Sequence, residues 1–248
     1  MKKIILITML LISIPFSVAC SNLPAAAAAH EQAIVSTTAP QTLRAYNTPL
    51  TSISTVKLSN QEINDLLYMR EEEKLAHDVY VFLYDLWGLP VFNNIAASET
   101  THTTSVQTLL ARYGIADPAD GQAQGQFTNT DLQALYDELI TQGSLSLGDA
   151  LKAGAAIEEI DILDLQKTIA NTTQTDIASV YENLLAGSNN HLRGFTGSLQ
   201  QQTGETYQPQ FLSADEYQAI LSGTNAGGMR FGAQGQAGGR GQGRPNHN

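Results

Sequence analysis

Ser98-Glu99-Thr100-Thr101-His102, inside the run Ile95-Ala96-Ala97-Ser98-Glu99-Thr100-Thr101-His102-Thr103-Thr104-Ser105-Val106, decides how the rest of the chain is read. On a helix, residues three apart differ by ~60° in azimuth and ~4.5 Å in height, so Glu99 and His102 project side by side as a chelating pair. Glu-x-x-His is a recurring element of helical proteins that build metal sites from facing helices. Any acidic helical sequence produces the motif by chance, so its meaning depends on what the other helices bring to the same level.

Four long helices are legible around it. Ser59-Asn60-Gln61-Glu62 is a capping box opening an amphipathic run that ends at Gly88-Leu89-Pro90. Leu66, Met69, Glu73, Ala76, Tyr80, Leu83 and Trp87 form its inward stripe, with a carboxylate among apolar neighbours that burial penalises unless it is paired or metal-bound. Glu72 is the competing candidate, since Leu75, Val79, Phe82 and Leu86 mark a second apolar row. Pro90 starts the second helix, which Gly114 stops after Tyr113, with Ile95, Ser98, Glu99, His102, Val106 and Leu109 facing inward.

A polar, Gly-rich stretch from Ile115 and a short helix from Thr130 to Gln142 then read as a crossover rather than a tight turn. A third long helix begins at Ser146-Leu147-Gly148-Asp149, runs to Ala170 and carries Glu158 and Asp161 at the same three-residue spacing. The fourth, Asp176 to Gln202, has Val180, Leu184, Ser188, His191, Leu192 and Phe195 on one side, and Ser213-Ala214-Asp215-Glu216 caps a small last helix. No segment alternates as a strand does, so the expected class is all-α: a ferritin-like four-helix bundle with a long crossover carrying a short helix, plus a small C-terminal helix. Glu73, Glu99, His102, Glu158, Asp161 and His191 each lie near the middle of their helix, so antiparallel packing would bring all six to one level.

The ends bound the setting. Met1 to Cys20 has Lys2 and Lys3, an apolar run from Ile4 to Val18 and small residues before the chain's single cysteine, the pattern of an export signal. Ser17-Val18-Ala19-Cys20 resembles a bacterial lipoprotein processing site, with Ser17 where leucine is usual; cleavage between Pro24 and Ala29 is the alternative. The expected location is the bacterial cell envelope, lipid-anchored through Cys20, or otherwise periplasmic or secreted. Residues 21–52 read as a tether, 53–224 as the folded unit and 225–248 as a disordered Gly/Gln/Arg-rich tail. Without residues 1–20 the chain keeps 11 basic against 24 acidic residues, a balance of −13 that argues against nucleic acid as a partner. Membrane contact is expected only through the lipid, and a homodimer is one of the oligomeric states left open.

The ligand helices resemble those of the ferritin-like di-metal carboxylate superfamily, particularly its rubrerythrin branch. In Glu73-Lys74-Leu75-Ala76-His77-Asp78-Val79-Tyr80 the glutamate is followed by alanine at the third position and tyrosine at the seventh, which favours Glu73 over Glu72. Glu99-x-x-His102 is similar to the second helix, and Glu158-x-x-Asp161, after Ala153-Gly154-Ala155-Ala156, to the third. Glu72-Glu73-Lys74-Leu75-Ala76, Ser98-Glu99-x-x-His102 and Asn190-His191-Leu192-Arg193 also resemble an uncharacterised ferritin-like domain-of-unknown-function family.

The resemblance implies two divalent metal ions, one held by Glu73, Glu99 and His102 and the other by Glu158, Asp161 and His191. It also implies oxygen- or peroxide-reactive or ferroxidase-like oxidoreductase chemistry, with a small oxidant or Fe(II) as the reacting partner. Iron is the first expectation, with manganese and zinc as alternatives, since carboxylate and imidazole suit all three. His77 and Tyr80 are candidate residues behind the ligands. The fourth helix departs from the superfamily: Ser188 stands where a second Glu-x-x-His would have its glutamate. Either Asp161 compensates on that side, or one metal position is weak or vacant. The other reading is an envelope-anchored helical module that has lost the di-metal chemistry.

Overall fold

The structure, a computed structural model, describes residues 57–223. The export segment with Cys20, the tether and the 225–248 tail lie outside the described residues. Among those described there are six helices and no strand: α1 (Asn60–Trp87), α2 (Pro90–Tyr113), α3 (Thr130–Gly143), α4 (Leu147–Asn171), α5 (Thr175–Thr203) and α6 (Ala214–Leu221). None of them is long and apolar enough to cross a membrane.

The ends follow local chemistry. The Ser59–Glu62 and Ser213–Glu216 capping boxes both form, satisfying amide groups that the first turns of α1 and α6 leave open. Pro90 opens α2, where its missing N–H costs nothing, and Gly114 closes it in the left-handed conformation at φ 67°.

α1 packs on α2 and α4, and α5 packs on α4 and α2, so the four long helices form a closed ring of neighbours. Their apolar residues fall into two clusters. One gathers Leu75, Tyr80, Phe92, Ile95, Leu151 and Phe195, and the other Leu66, Met69, Val106, Leu109, Leu165 and Leu184. Along the chain, α1 and α5 run from the second cluster to the first, whereas α2 and α4 run from the first to the second. Every pair of ring neighbours is therefore antiparallel, while α2 and α4 are parallel. A connection joining two parallel helices must travel back along their length, which is why residues 114–146 are long and contain α3, packed on α1 and α4.

Candidate metal centre

Between the two apolar clusters lies a buried polar layer, supplied by the middles of all four long helices. Glu73 of α1, Glu99 and His102 of α2, Glu158 and Asp161 of α4, and Ser188 and His191 of α5 are each less than 8% exposed. Glu99 sits at its centre. Its Oε2 lies 2.8 Å from Nδ1 of His102 and its Oε1 lies 2.7 Å from Nδ1 of His191, so one carboxylate spans two imidazoles. Glu73 Oε2 approaches His102 Nδ1 at 3.2 Å, and Glu158 Oε2 approaches His191 Nδ1 at 3.5 Å. The two rings stack with centroids 5.3 Å apart.

The arrangement suits a cation at several points. Glu99, His102 and His191 offer donor atoms within 4.8 Å of one another, a spacing at which the three could hold one ion. Nδ1 of His191 is close to Glu99 but outside the angular range of a hydrogen bond, and Oε1 of Glu73 and Oδ1 of Asp161 meet no donor from the protein. Buried donor atoms left without a hydrogen-bond partner beside two imidazoles are groups that a cation can satisfy.

Burial and charge act together on the ionisation of these groups. Burial alone would lower the pKa of His102, but hydrogen bonds to Glu73 and Glu99 raise it to about 11. Burial likewise opposes the charge on His191, which Glu158 and Glu99 raise to about 10. Glu99, which burial would raise, is held at about 2 by the two imidazoles. Asp161 is pushed up to about 8, by burial first and then by the negative charge of Glu158. Burial also raises Glu73 and Glu158.

Supporting contacts hold the donors in place. Tyr80, fully buried, donates its hydroxyl to Glu158 Oε1, and Ser188 donates to Asp161 Oδ2. His77 stands apart: its Nδ1 is 3.0 Å from Asp78 and its side chain is 35% exposed, so it touches none of the donors. Glu72 is buried beside the layer, in the fields of Asp161, Asp164 and Glu73 rather than against either imidazole.

Two further positions support the donors. Ser98 places Oγ 3.0 Å from Nε2 of His191, which turns Nδ1 toward the carboxylates. Thr100, Thr104, Ser105 and Thr108 on the same helix spend their hydroxyls on carbonyls four residues back. Gly187 is the other: a Cβ there would lie 2.5 Å from Nε2 of His102, so only glycine leaves room for the ring. A glycine inside a long helix, next to Ser188, was the available signal.

The comparisons with known proteins agree on kinship. The chain is 46% identical over 180 residues to a protein of Methanocaldococcus jannaschii named "Uncharacterized protein MJ0754", an alignment covering 73% of this chain and 97% of that one. It is also similar to the crystal structure of the hypothetical protein MJ0754 from Methanococcus jannaschii, with a TM-score of 0.66 and 47% identity, covering 69% of this chain and 97% of the other. A family match spans residues 62–224, which include all six helical donors of the polar layer. The chain belongs to the family described as "Uncharacterized protein domain (DUF2202)".

Proposed function

We propose that this chain is a ferritin-like four-helix bundle that holds two divalent metals, iron by preference and manganese or zinc as alternatives, in an exported, lipid-anchored protein. The observation that carries the reading is the bridging posture of Glu99, whose two oxygens each face a different imidazole at 2.8 and 2.7 Å. Glu73 with His102 would complete one side and Glu158 with His191 the other, a mixed carboxylate and imidazole set. When bound, iron or manganese would supply redox chemistry toward oxygen, peroxide or Fe(II) as the small substrate, which zinc would not.

The chain's own residues hold and orient. Tyr80 fixes one oxygen of Glu158, which keeps the other turned toward His191. Ser98 fixes the tautomer of His191 by accepting from Nε2–H. The apolar clusters above and below the layer exclude bulk water from it. The alternative of a module without metal chemistry rested on the missing carboxylate at Ser188. The hydrogen bond from Ser188 to Asp161 supports the first reading, because it brings a carboxylate from α4 to that side of the layer.

Metal analysis of protein purified without added metal tests the proposal. Two metals per chain are expected, and none, even after Fe(II) loading, would overturn it. The anchor is tested separately: Cys20→Ala should release a soluble form, and a variant that stays membrane-bound would refute lipidation at that residue.

A further inference from the structure

The donors of the polar layer are not equally sealed. The side chains of Glu73, Glu99 and Glu158 are 1%, 2% and 2% exposed, but those of His102 and His191 are 10% and 9% exposed. On α1 and α4 the apolar residues flanking the donors, Met69, Tyr80, Ala155 and Ile162, are fully buried. The layer is therefore nearest to solvent where its two stacked imidazoles stand, at the seam between α2 and α5.

Small residues make that seam. His102 lies against Gly187, where a Cβ would come within 2.5 Å of its Nε2 and 3.8 Å of Cε1 of His191. Half-buried Ser98, next to exposed Ala97 and one turn from exposed Thr101, places Oγ 3.0 Å from Nε2 of His191. Toward one end of the bundle the seam is apolar, since a Cβ on Gly194 would meet Ile95 at 3.5 Å and Val91 at 3.9 Å. Toward the other end stand Val106 and Leu184, both buried. Between these apolar stretches lie Ser98, His102, Gly187 and His191.

Two hydrogen-bond donors there are unspent. Both imidazoles turn Nδ1 to the carboxylates, so their Nε2–H groups face the seam. Nε2 of His191 meets Ser98, whereas among the described residues no acceptor meets Nε2 of His102. With Nε2–H of His191 donating to it, Ser98 keeps its own hydroxyl proton. Thr100, Thr104 and Ser105 give theirs to carbonyls four residues back, but among the described residues Ser98 has no such acceptor. A half-buried hydroxyl with a spare proton, beside a buried N–H without an acceptor, suits a small molecule that carries acceptor oxygens. A hydrated cation fits neither the narrow seam nor a pair of donors, and dioxygen gains nothing from them. Building on the metal centre inferred above, we propose that this seam is the route by which hydrogen peroxide, a small neutral oxidant with hydrogen-bonding oxygens, reaches the metals, and that the Ser98 hydroxyl receives it.

Water shares the hydrogen-bonding groups of peroxide and is smaller, so it probes the route without any metal. In the full, metal-free chain with isotope-labelled histidine, exchange of the Nε2 protons with solvent is followed by nuclear magnetic resonance. Ser98→Leu fills the seam and should slow exchange at His102 and His191 about tenfold or more, whereas Ser98→Ala leaves it open and should not slow it. In the Fe(II)-loaded chain, compared at equal iron content, Ser98→Leu should slow oxidation by hydrogen peroxide by a similar factor. Ser98→Ala should lower the peroxide rate more than the dioxygen rate. Circular dichroism checks folding, and Ser98→Val takes the place of Ser98→Leu if that variant does not fold. Exchange that the filled seam does not slow would overturn the route, and equal losses toward peroxide and dioxygen in Ser98→Ala would overturn the role of the hydroxyl. Exchange controlled by residue 98 in a chain that takes no iron would keep the opening and sink the metal centre instead.

Discussion

The hydroxyl of Ser188 on α5 is hydrogen-bonded to Oδ2 of Asp161 on α4, with both groups buried in the middle of their helices. The side chain that breaks the Glu-x-x-His pattern thus holds a carboxylate from the neighbouring helix. Ser188→Ala removes that donor and leaves Asp161 free to turn. Loss of such a supporting contact costs ~10–100-fold in metal affinity. Calorimetric titration with Fe(II) or Zn2+ should show that loss in one binding step; unchanged affinity would mean that Asp161 does not serve the centre.

Glu99→Ala removes the one carboxylate that faces both imidazoles. Metal content should fall sharply while the helical circular dichroism stays mostly intact, because the caps at Ser59, Ser146 and Ser213 and the two apolar clusters do not involve Glu99. Full metal occupancy in this variant would refute the assignment of the centre.

Gly187→Ala separates packing from propensity. In an open helix the change would stabilise by about 1 kcal/mol. Here the new methyl would sit 2.5 Å from Nε2 and 2.6 Å from Cε1 of His102. His102 must move, so metal affinity should fall and thermal stability should not rise. A variant that melts higher and binds metal normally would show that the ring is not confined there.

The pH response of metal-free protein follows from the imidazoles. His102 and His191 titrate near 11 and 10 when folded, against an ordinary value of 6.5. The folded chain therefore binds more protons than the unfolded chain across that window, and the stabilisation is full below about pH 6.5 and lost as pH rises through the folded values. Asp161, raised from 3.8 to about 8, acts in the same direction over its own window. Chelator-treated protein should melt lower at about pH 9 than at about pH 6. Added Zn2+ should stabilise it more at the higher pH, where fewer protons compete for the nitrogens. A metal-free melting temperature that does not fall between those two values would contradict the ion pairs.

Glu159→Gln is the contrasting case. Glu159 is fully buried next to Glu158, but its oxygens accept from Gln210, Phe211 and Leu212 and so tie the segment before α6 to α4. The variant should lose roughly 1–3 kcal/mol in denaturant unfolding, with metal stoichiometry unchanged. A loss of metal without a loss of stability would reverse the roles of the two glutamates.

The helices were legible in the sequence because their causes are local. Capping boxes at Ser59 and Ser213, proline at residue 90 and glycines at 88 and 114 act within a turn or two of themselves. The level of the polar layer was legible too, since a residue's height along a helix depends only on counting, and Glu73, Glu99, Glu158 and His191 all fall near the middles of their helices. What each acid does was not. Glu71, Glu72 and Glu73 are consecutive and all buried, yet Glu71 meets the start of α3, Glu73 meets His102, and Glu72 meets neither, lying in the fields of Asp161 and Asp164. Successive residues on a helix point about 100° apart, so which neighbour each one meets is fixed by the helix packed on that side. The same holds for Glu158 against Glu159, for Ser98 against His191 and for Gly187 against His102. The sequence alone determined the helices, their caps and the shared height of the acids and imidazoles. Only the packing of α1, α2, α4 and α5 decided which of those acids face an imidazole, because that depends on rotation about each helix axis, which contacts with other helices set.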